Sequence, residues 1–195
     1  MKNKWIGPVT LSGSKVVLEP LALEHLEGII SAVRDGELWK LWFTSIPSPE
    51  KAEEYINTAL EMRENSGAMP FVIRDKNSNT IIGSTRYFNV DEISHRLEIG
   101  HTWYSESYQR TAANTEAKYL LLTHAFEKLD AIAVELRTLA QSQVTGRHRQ
   151  VGRQTGWSAK KSPKVRRWCL SGYGYIFHHQ SGVARRKTIF NIQVE

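Results

Sequence analysis

The segment from residue 95 to residue 138 constrains the fold more than any other part of the chain. A strand-like run, residues 95–104, leads through small residues into a long helical pattern over residues 114–130, and a short apolar strand, residues 131–138, follows. The apolar stripe of the helix consists of Ala117, Leu120, Leu121, Ala125 and Phe126. A short, unobstructed turn before a helix favours binding of a phosphate, because the first N–H groups of a helix are unpaired.

The remaining pattern up to residue 138 predicts one mixed α/β domain. Strand patterns cover residues 15–21, 70–75 and 80–90, and helix patterns cover residues 22–35 and 48–67. In the second helix we expect Ser48 to be the cap, Pro49 to lie in the first turn and Gly67 to end the helix. The predicted order is strand, helix, helix, three strands, helix, strand, which is typical of an α/β fold with one central sheet.

Composition sets wider limits. The 195 residues are 41% apolar and 24% charged, as in soluble globular proteins. Cys169 is the only cysteine, so no internal disulfide can form, and we find neither an apolar run of membrane-spanning length nor a signal peptide. These features predict a cytoplasmic protein without a membrane partner. The histidines have no metal-ligand spacing, so no metal is expected, and the chain is compatible with a monomer or a homodimer.

The charge is distributed unevenly along the chain. Residues 1–138 hold 15 Lys and Arg against 19 Asp and Glu, whereas residues 139–195 hold 11 Lys and Arg against one Glu. Within the basic part, residues 139–168 have almost no apolar periodicity and predict no stable element. Basic residues together with Trp157 and Trp168 also allow a second hypothesis, that the chain is a non-catalytic basic protein whose tail binds nucleic acid non-specifically.

The turn before the long helix is the strongest candidate for an anion site. Its donors would be the backbone N–H groups of residues 110–115, with Asn114 or Thr115 as the cap and Glu116 in the first turn. The Arg110 guanidinium could add a charge-assisted contact. Neither a glycine-rich dinucleotide motif nor a P-loop is present, and a well-capped amphipathic helix without a ligand is the alternative interpretation.

The sequence "LEIGHTWYSESYQRTAANTEAKYLLLTHAFEKL" resembles the GNAT superfamily of N-acetyltransferases, in the branch that includes the ribosomal-protein N-terminal acetyltransferases. The superfamily motif Gln/Arg-x-x-Gly-x-Gly/Ala corresponds to residues 109–114, with Ala112 in place of the first glycine. The branch motif Asn-Thr-Glu-x-Lys corresponds to residues 114–118. Together with "LSGSKVVLEPLALEHLEGI" and "IIGSTRY", the resemblance covers about residues 11–138.

The resemblance implies a mixed central sheet flanked by helices, and transfer of an acetyl group from acetyl-CoA, the co-substrate, to a primary amine of a small molecule or a protein N-terminus. A strand N–H near Trp103 would polarise the thioester carbonyl, Glu98 would be the general base, and Tyr104 could assist. Trp39, Trp42 and Phe43 could line an acceptor pocket or belong to the core. The residues expected to bind the coenzyme are Thr102, Trp103 and Tyr104 for the pantetheine arm and Gln109, Arg110, Thr111, Ala112, Ala113, Asn114 and Thr115 for the pyrophosphate.

The tail departs from the family. After the strand at residues 131–138 we expect a helix and two closing strands, but residues 139–195 contain no such pattern. When the second and third bases of each codon are read with the first base of the next, Trp157 and Trp168 must each become glycine, as the family has there. We therefore interpret residues 1–138 as an incomplete acetyltransferase domain and residues 139–195 as a frameshift product, in which the last helix and closing strands are lost or altered.

This hypothesis predicts a specific nucleotide sequence. In the shifted frame, the codons of residues 139–195 should encode an amphipathic helix followed by two apolar strands, because the original protein would have needed both to complete its sheet. Sequencing the gene provides the measurement. A shifted frame that is interrupted by stop codons, or that encodes no helix and strands, contradicts the hypothesis.

Overall fold

The computed structural model describes residues 5–40, 46–65, 67–137, 169–171 and 174–178. Within these residues, helices lie against both faces of one eight-stranded sheet. The helices are α1 (Leu26–Arg34), α2 (Ala52–Asn65) and α3 (Ala112–Glu127). The strands are β1 (Leu11–Ser12), β2 (Val16–Pro20), β3 (Met69–Asp75), β4 (Ile81–Asp91), β5 (Arg96–Tyr104), β6 (Ala133–Arg137), β7 (Cys169–Ser171) and β8 (Gly174–His178).

The strand order is β1-β2-β3-β4-β5-β6-β8-β7, and within the described residues the only parallel pair is β5 with β6. This parallel pair is connected through α3, because two parallel neighbours need a crossover rather than a hairpin. The described part of the chain is therefore a mixed sheet between two helical layers. No helix in this part is both long and apolar enough to cross a membrane.

Each helical layer covers its own apolar face of the sheet. α1 and α2 pack on one face, where Ile29 and Ile56 meet Val72 of β3. α3 packs on the other face, where Leu121 lies in one buried cluster with Tyr87. Alternation along the strands explains this division, because successive side chains of a strand point to opposite faces.

The predicted elements up to residue 138 occur in the predicted order, with changes at their ends, and the structure adds the short strand β1, which the sequence analysis did not predict. Ser48 occupies the cap position of a short 3-10 turn before α2, but its side chain makes no capping hydrogen bond. Gly67 follows α2 with a φ of 69°, a conformation that glycine adopts readily.

Residues 139–168, for which no stable element is predicted, lie outside the described residues, and two short strands follow them. β8 pairs antiparallel with β6, and β7 pairs with β8. The periodicity of side chains does not predict such strands, because an unpaired sheet edge offers backbone hydrogen bonds to any extended segment. The frameshift and the domain boundary at residue 138 remain predictions.

Glu116 links α3 to the turn between β1 and β2. Its Oε1 accepts hydrogen bonds from Ser14 N at 2.9 Å and Ser14 Oγ at 2.6 Å, and its Oε2 accepts from Lys15 N at 2.7 Å and Val16 N at 2.8 Å. A Cβ at Gly13 would lie 2.5 Å from Glu116 Cδ, so the turn requires glycine there. Burial raises the pKa of Glu116, but the hydrogen bonds from Ser14, Lys15 and Val16 outweigh it and lower the pKa overall.

We expect Glu116→Gln to lower the free energy of unfolding by about 2 kcal/mol at neutral pH, because the amide loses the charge-assisted acceptors. The pKa of Glu116 is depressed in the folded state, so its stabilisation is complete above the ordinary value of 4.5 and is lost as the pH falls through the folded-state pKa. Urea unfolding at several pH values should therefore show the difference between wild type and E116Q shrinking below about pH 4.5.

The matched control is Glu127→Gln at the exposed end of the same helix, which should change stability little. A stability loss in E127Q equal to that in E116Q would show that the four hydrogen bonds are not the cause.

Candidate functional site

The two parallel strands separate at one end of the sheet. β5 pairs with β6 from Arg96 to Ile99 only, whereas its pairing with β4 continues to Tyr104. Beyond Ile99, the edge of β5 that faces β6 therefore has no strand partner among the described residues. An exposed strand edge of this kind can form backbone hydrogen bonds with an extended ligand.

A β-bulge lies in the part of β5 beyond Ile99. Ser84 pairs with Trp103 and Arg86 pairs with Gly100, so β5 contains one residue more than β4 between these pairs. His101 has a φ of 49°, in the left-handed region, as a bulged residue can require. The bulge is a local change of direction at the point where β5 and β6 separate.

The extra residue changes which side chains face each helical layer. Before the bulge, Leu97 and Ile99 face α3, and after it Tyr104 faces α3, an odd-to-even change in residue number. Trp103 consequently packs in the cluster of α1 and α2. Aromatic side chains next to the bulge thus contribute to both cores.

The N-terminus of α3 lies directly after this strand. A short 3-10 turn follows β5, Arg110 then adopts a φ of 56°, and Thr111 caps the helix through its Oγ1, which accepts a hydrogen bond from Ala113 N at 3.3 Å. The prediction that Asn114 or Thr115 is the cap is therefore wrong. Alanine is a good helix former, so the helix begins at Ala112.

The turn between β5 and α3 is attached to both neighbouring layers. Asp35, at the end of α1, accepts hydrogen bonds through Oδ2 from Ser107 N at 3.2 Å and Ser107 Oγ at 2.5 Å. The Ser107 hydroxyl is the main cause of the lowered pKa of Asp35. Ser105 N donates to Ile82 O in β4 at 2.9 Å. The start of α3 is therefore fixed relative to the exposed strand edge.

The residues expected to bind a pyrophosphate lie together in this turn. Gln109, Arg110, Thr111 and Ala112 are exposed, Ala113 is buried, and Asn114 and Thr115 are half-buried. Left-handed backbone occurs at Arg110 and not at Ala112, so alanine in place of the motif glycine imposes no strain of that kind. The arrangement offers backbone donors and an exposed guanidinium to an anion.

Glu98 and Tyr104 lie on opposite faces of β5. Glu98 is 6% exposed, and its Oε1 accepts a hydrogen bond from Asn89 Nδ2 at 3.1 Å. Tyr104 is 7% exposed and packs in the cluster under α3, where burial raises its pKa. Its hydroxyl has no hydrogen-bond partner among the described residues. Glu98 therefore faces α1 and α2, and a neutral Tyr104 hydroxyl faces α3.

Thr102 and Trp103 lie in the bulged part of β5. Thr102 Oγ1 is 2.8 Å from Thr85 Oγ1 in β4. Trp39 packs against the cluster of α1 and α2, whereas Trp42 and Phe43 lie outside the described residues. An acceptor pocket lined by these three aromatic residues therefore remains a prediction.

A hydrogen-bond chain that the sequence analysis missed fixes Trp103. Trp103 Nε1 donates to Tyr55 Oη at 3.1 Å, Tyr55 Oη donates to Ser84 Oγ at 3.1 Å, and Ser84 Oγ donates to Phe71 O at 2.8 Å. Nothing in the spacing of α2 distinguishes Tyr55 from an ordinary core residue. The visible signal was Arg86, a charged residue in the buried run 81–87 of β4, which lies beside this hydrogen-bond chain.

Comparison with known families gives a direct result. The family model described as "Acetyltransferase (GNAT) domain" matches residues 15–147. No curated protein sequence matches the chain.

Several solved structures share the fold. A protein from T. thermophilus assigned as an acetyltransferase is 30% identical, with a TM-score of 0.58 over 68% of this chain and 68% of that chain. A GCN5-related N-acetyltransferase from Brucella melitensis is 23% identical, with a TM-score of 0.56 over 67% and 60% of the two chains. RimL, a ribosomal L7/L12 alpha-N-protein acetyltransferase solved in complex with coenzyme A, is 17% identical, with a TM-score of 0.55 over 66% and 74%.

The matched part spans 66%, 68% and 60% of three of the most similar solved chains. The family match covers the bulged strand, the capped helix α3 and the parallel pair β5 and β6, which form the candidate site. The chain therefore belongs to the acetyltransferase (GNAT) domain family, a family of acyltransferases.

Proposed function

We propose that this chain transfers an acetyl group from acetyl-CoA to a primary amine. The observation that carries the proposal is the unpaired edge of β5 beyond Ile99, which lies next to the capped N-terminus of α3. An extended thioester arm and a pyrophosphate need these two features side by side. The family match supports the same coenzyme.

The pyrophosphate would lie at the start of α3. Backbone N–H groups of the first turn and the helix dipole favour an anion there, and the small side chains of Ala112 and Ala113 leave the backbone accessible. Arg110 is exposed beside the cap and supplies a positive charge. In this proposal the backbone N–H groups and the Arg110 guanidinium bind the pyrophosphate directly, and no metal ion takes part.

Acetyl-CoA supplies an activated acetyl group, and the protein orients it. Backbone groups of Thr102, Trp103 and Tyr104 would pair with the pantetheine arm, which places the thioester near the bulge, where a strand N–H polarises its carbonyl. The amine nitrogen attacks the carbonyl carbon, the carbon–sulfur bond breaks, and Glu98 accepts the proton lost by the amine. Tyr104 can donate a proton to the leaving thiolate from the other face of the strand.

The acceptor would approach from the face of α1 and α2, because Glu98 lies there. We keep both acceptor classes, a small-molecule amine and a protein N-terminus. Residues 148–195 lie outside the family match, so we expect weaker acetyl-CoA binding than in relatives with a complete C-terminal part. Nucleic-acid binding depends on residues that are mostly outside the described ones and remains a prediction.

A charge placed at Ala112 tests the pyrophosphate site. Ala112→Asp puts a carboxylate in the first turn, where it stabilises the helix but repels a pyrophosphate. Acetyl-CoA at about 100 times its Kd should stabilise the wild type by roughly 2.7 kcal/mol, a shift readily measured in a thermal melt. We expect A112D to lose most of this shift while its melting temperature without ligand is unchanged or higher.

Ala112→Asn is the control, since it has the same shape without the charge and should keep the shift. Equal shifts in A112D and wild type would place the pyrophosphate elsewhere. A cooperative melt of the wild type that acetyl-CoA does not move would contradict the proposed function itself.

A further inference from the structure

Arg86 is a buried cation without a carboxylate partner among the described residues. It lies in β4 and is 2% exposed. Arg74 and Arg96 pair with Glu19 and Glu135, but no ion pair within the described ranges includes Arg86. A guanidinium does not lose its proton in a protein, and an uncompensated buried charge is strongly unfavourable. The charge of Arg86 therefore requires an anion.

The direct neighbours of the guanidinium are not anions. Nη1 lies 3.1 Å from the sulfur of Met62, and Cζ lies 5.3 Å from the centre of the Tyr55 ring. A thioether is a weak acceptor, and the ring offers only a cation–π contact. Nε–H has no acceptor in the described part of the chain. At least one strong donor of Arg86 is thus available for a further group.

Arg86 lies where the acceptor would meet the acetyl group. It pairs with Gly100 of β5, the residue at the start of the bulge, and Phe88 pairs with Glu98. Alternation places Arg86 on the same face as Phe88 and Glu98, towards α1 and α2. Burial is the main cause of the lowered pKa of His101, and the positive charge of Arg86 is the second cause. Arg86 therefore interacts electrostatically with the bulge, where His101 lies.

The guanidinium and the candidate base are diagonal neighbours on this face. Residues in such positions have Cβ atoms about 7 to 8 Å apart, a distance that long side chains can span. The ion pairs of the described residues do not include one between Arg86 and Glu98, so one small molecule could contact both side chains. The Arg86 guanidinium and the Glu98 carboxylate together match a small molecule whose amine and carboxylate are attached to the same carbon or to adjacent carbons. The amine of such a molecule would face Glu98, and its carboxylate would face Arg86.

Arg86 is also held in place before any ligand binds. The Tyr55 ring supports the guanidinium, and the Tyr55 hydroxyl is fixed by Trp103 Nε1 and Ser84 Oγ, each at 3.1 Å. A pre-organised donor loses little entropy when it binds a ligand, and the planar guanidinium can bind a carboxylate through two parallel hydrogen bonds.

We propose that Arg86 binds a carboxylate of the acceptor, so that the preferred acceptor is a small amine that carries a carboxylate, such as an amino acid. This inference rests on the proposed acetyl transfer and narrows its substrate class. It excludes simple polyamines as the preferred acceptors, because they would bring a second positive charge to Arg86.

Product analogues test the proposal without reliance on turnover. Calorimetry with the full chain would compare N-acetyl amino acids with their C-terminal amides, for alanine, methionine and aspartate. The amide bond removes the amine charge from both members of each pair, so they differ only in the carboxylate. We expect the wild type to bind at least one acid about 10- to 100-fold more tightly than its amide.

Arg86→Gln should abolish this preference by weakening the acid and leaving the amide unchanged. Arg96→Gln, which removes the same charge at the exposed start of β5, is the matched control and should keep the preference. Tyr55→Phe keeps the ring but loses the hydroxyl, and should reduce the preference only in part. Acetyl-CoA binding by R86Q, measured in parallel, confirms that the variant is folded.

Three results would overturn the inference. The wild type could bind acid and amide equally in all three pairs, it could bind none of the acids, or the preference for the acid could survive in R86Q. Each of these results would mean that Arg86 only balances the charge of Glu98. Failure of the wild type to bind acetyl-CoA contradicts the proposed function, whereas the comparison of acid and amide still decides the role of Arg86. The two failures are therefore distinguishable.

Discussion

The parallel pairing of β5 with β6 over only four residue pairs is the constraint on which the candidate site depends. Because the described pairing stops at Ile99 and Leu136, β5 continues with one edge that has no partner strand in the described part of the chain, and the crossover places the start of α3 beside that edge. In the proposed function, the helix would supply donors for charged oxygen atoms and the strand would supply backbone groups for an extended arm. Glu98 of β5 and Arg86 of the neighbouring strand β4 lie on the face of the sheet that α1 and α2 cover. The proposed function therefore assigns the coenzyme to the edge of β5 and the acceptor to this face.

Local periodicity was sufficient to predict the elements of the matched region. The stripe of α3 and the alternation in β3, β4 and β5 repeat over enough residues to define each element and its buried face. The small residues before α3 predicted an anion site at this turn, and the resemblance to the acetyltransferases named the pyrophosphate of coenzyme A as the expected anion. The cap was misplaced because Thr111, Asn114 and Thr115 are all capping residues, and only the structure shows that Thr111 Oγ1 is the one that accepts a hydrogen bond from the helix backbone.

The features that were missed depend on contacts between residues distant in sequence. Glu116 binds a turn about 100 positions away, which no local pattern encodes. Tyr55 joins Trp103 and Ser84 only after the helix and the sheet have packed. The strands β7 and β8 lie in a segment without periodicity, and backbone pairing alone accounts for them. Sequence analysis therefore predicted the region of the candidate site and Glu98 on the face of α1 and α2, but it missed Arg86 and Tyr55 on that face.

The bulge at His101 has a consequence for how this strand can change during evolution. Side chains before it and after it follow opposite alternation rules, so Trp103 and Tyr104 reach their layers only because the extra residue is bulged. If one residue between Gly100 and Trp103 were removed, the bulge would disappear and regular alternation would leave both aromatic rings on their present faces. If the same residues formed a regular strand without the bulge, the two rings would exchange layers. The left-handed backbone of His101 is therefore a constraint that both helical layers share.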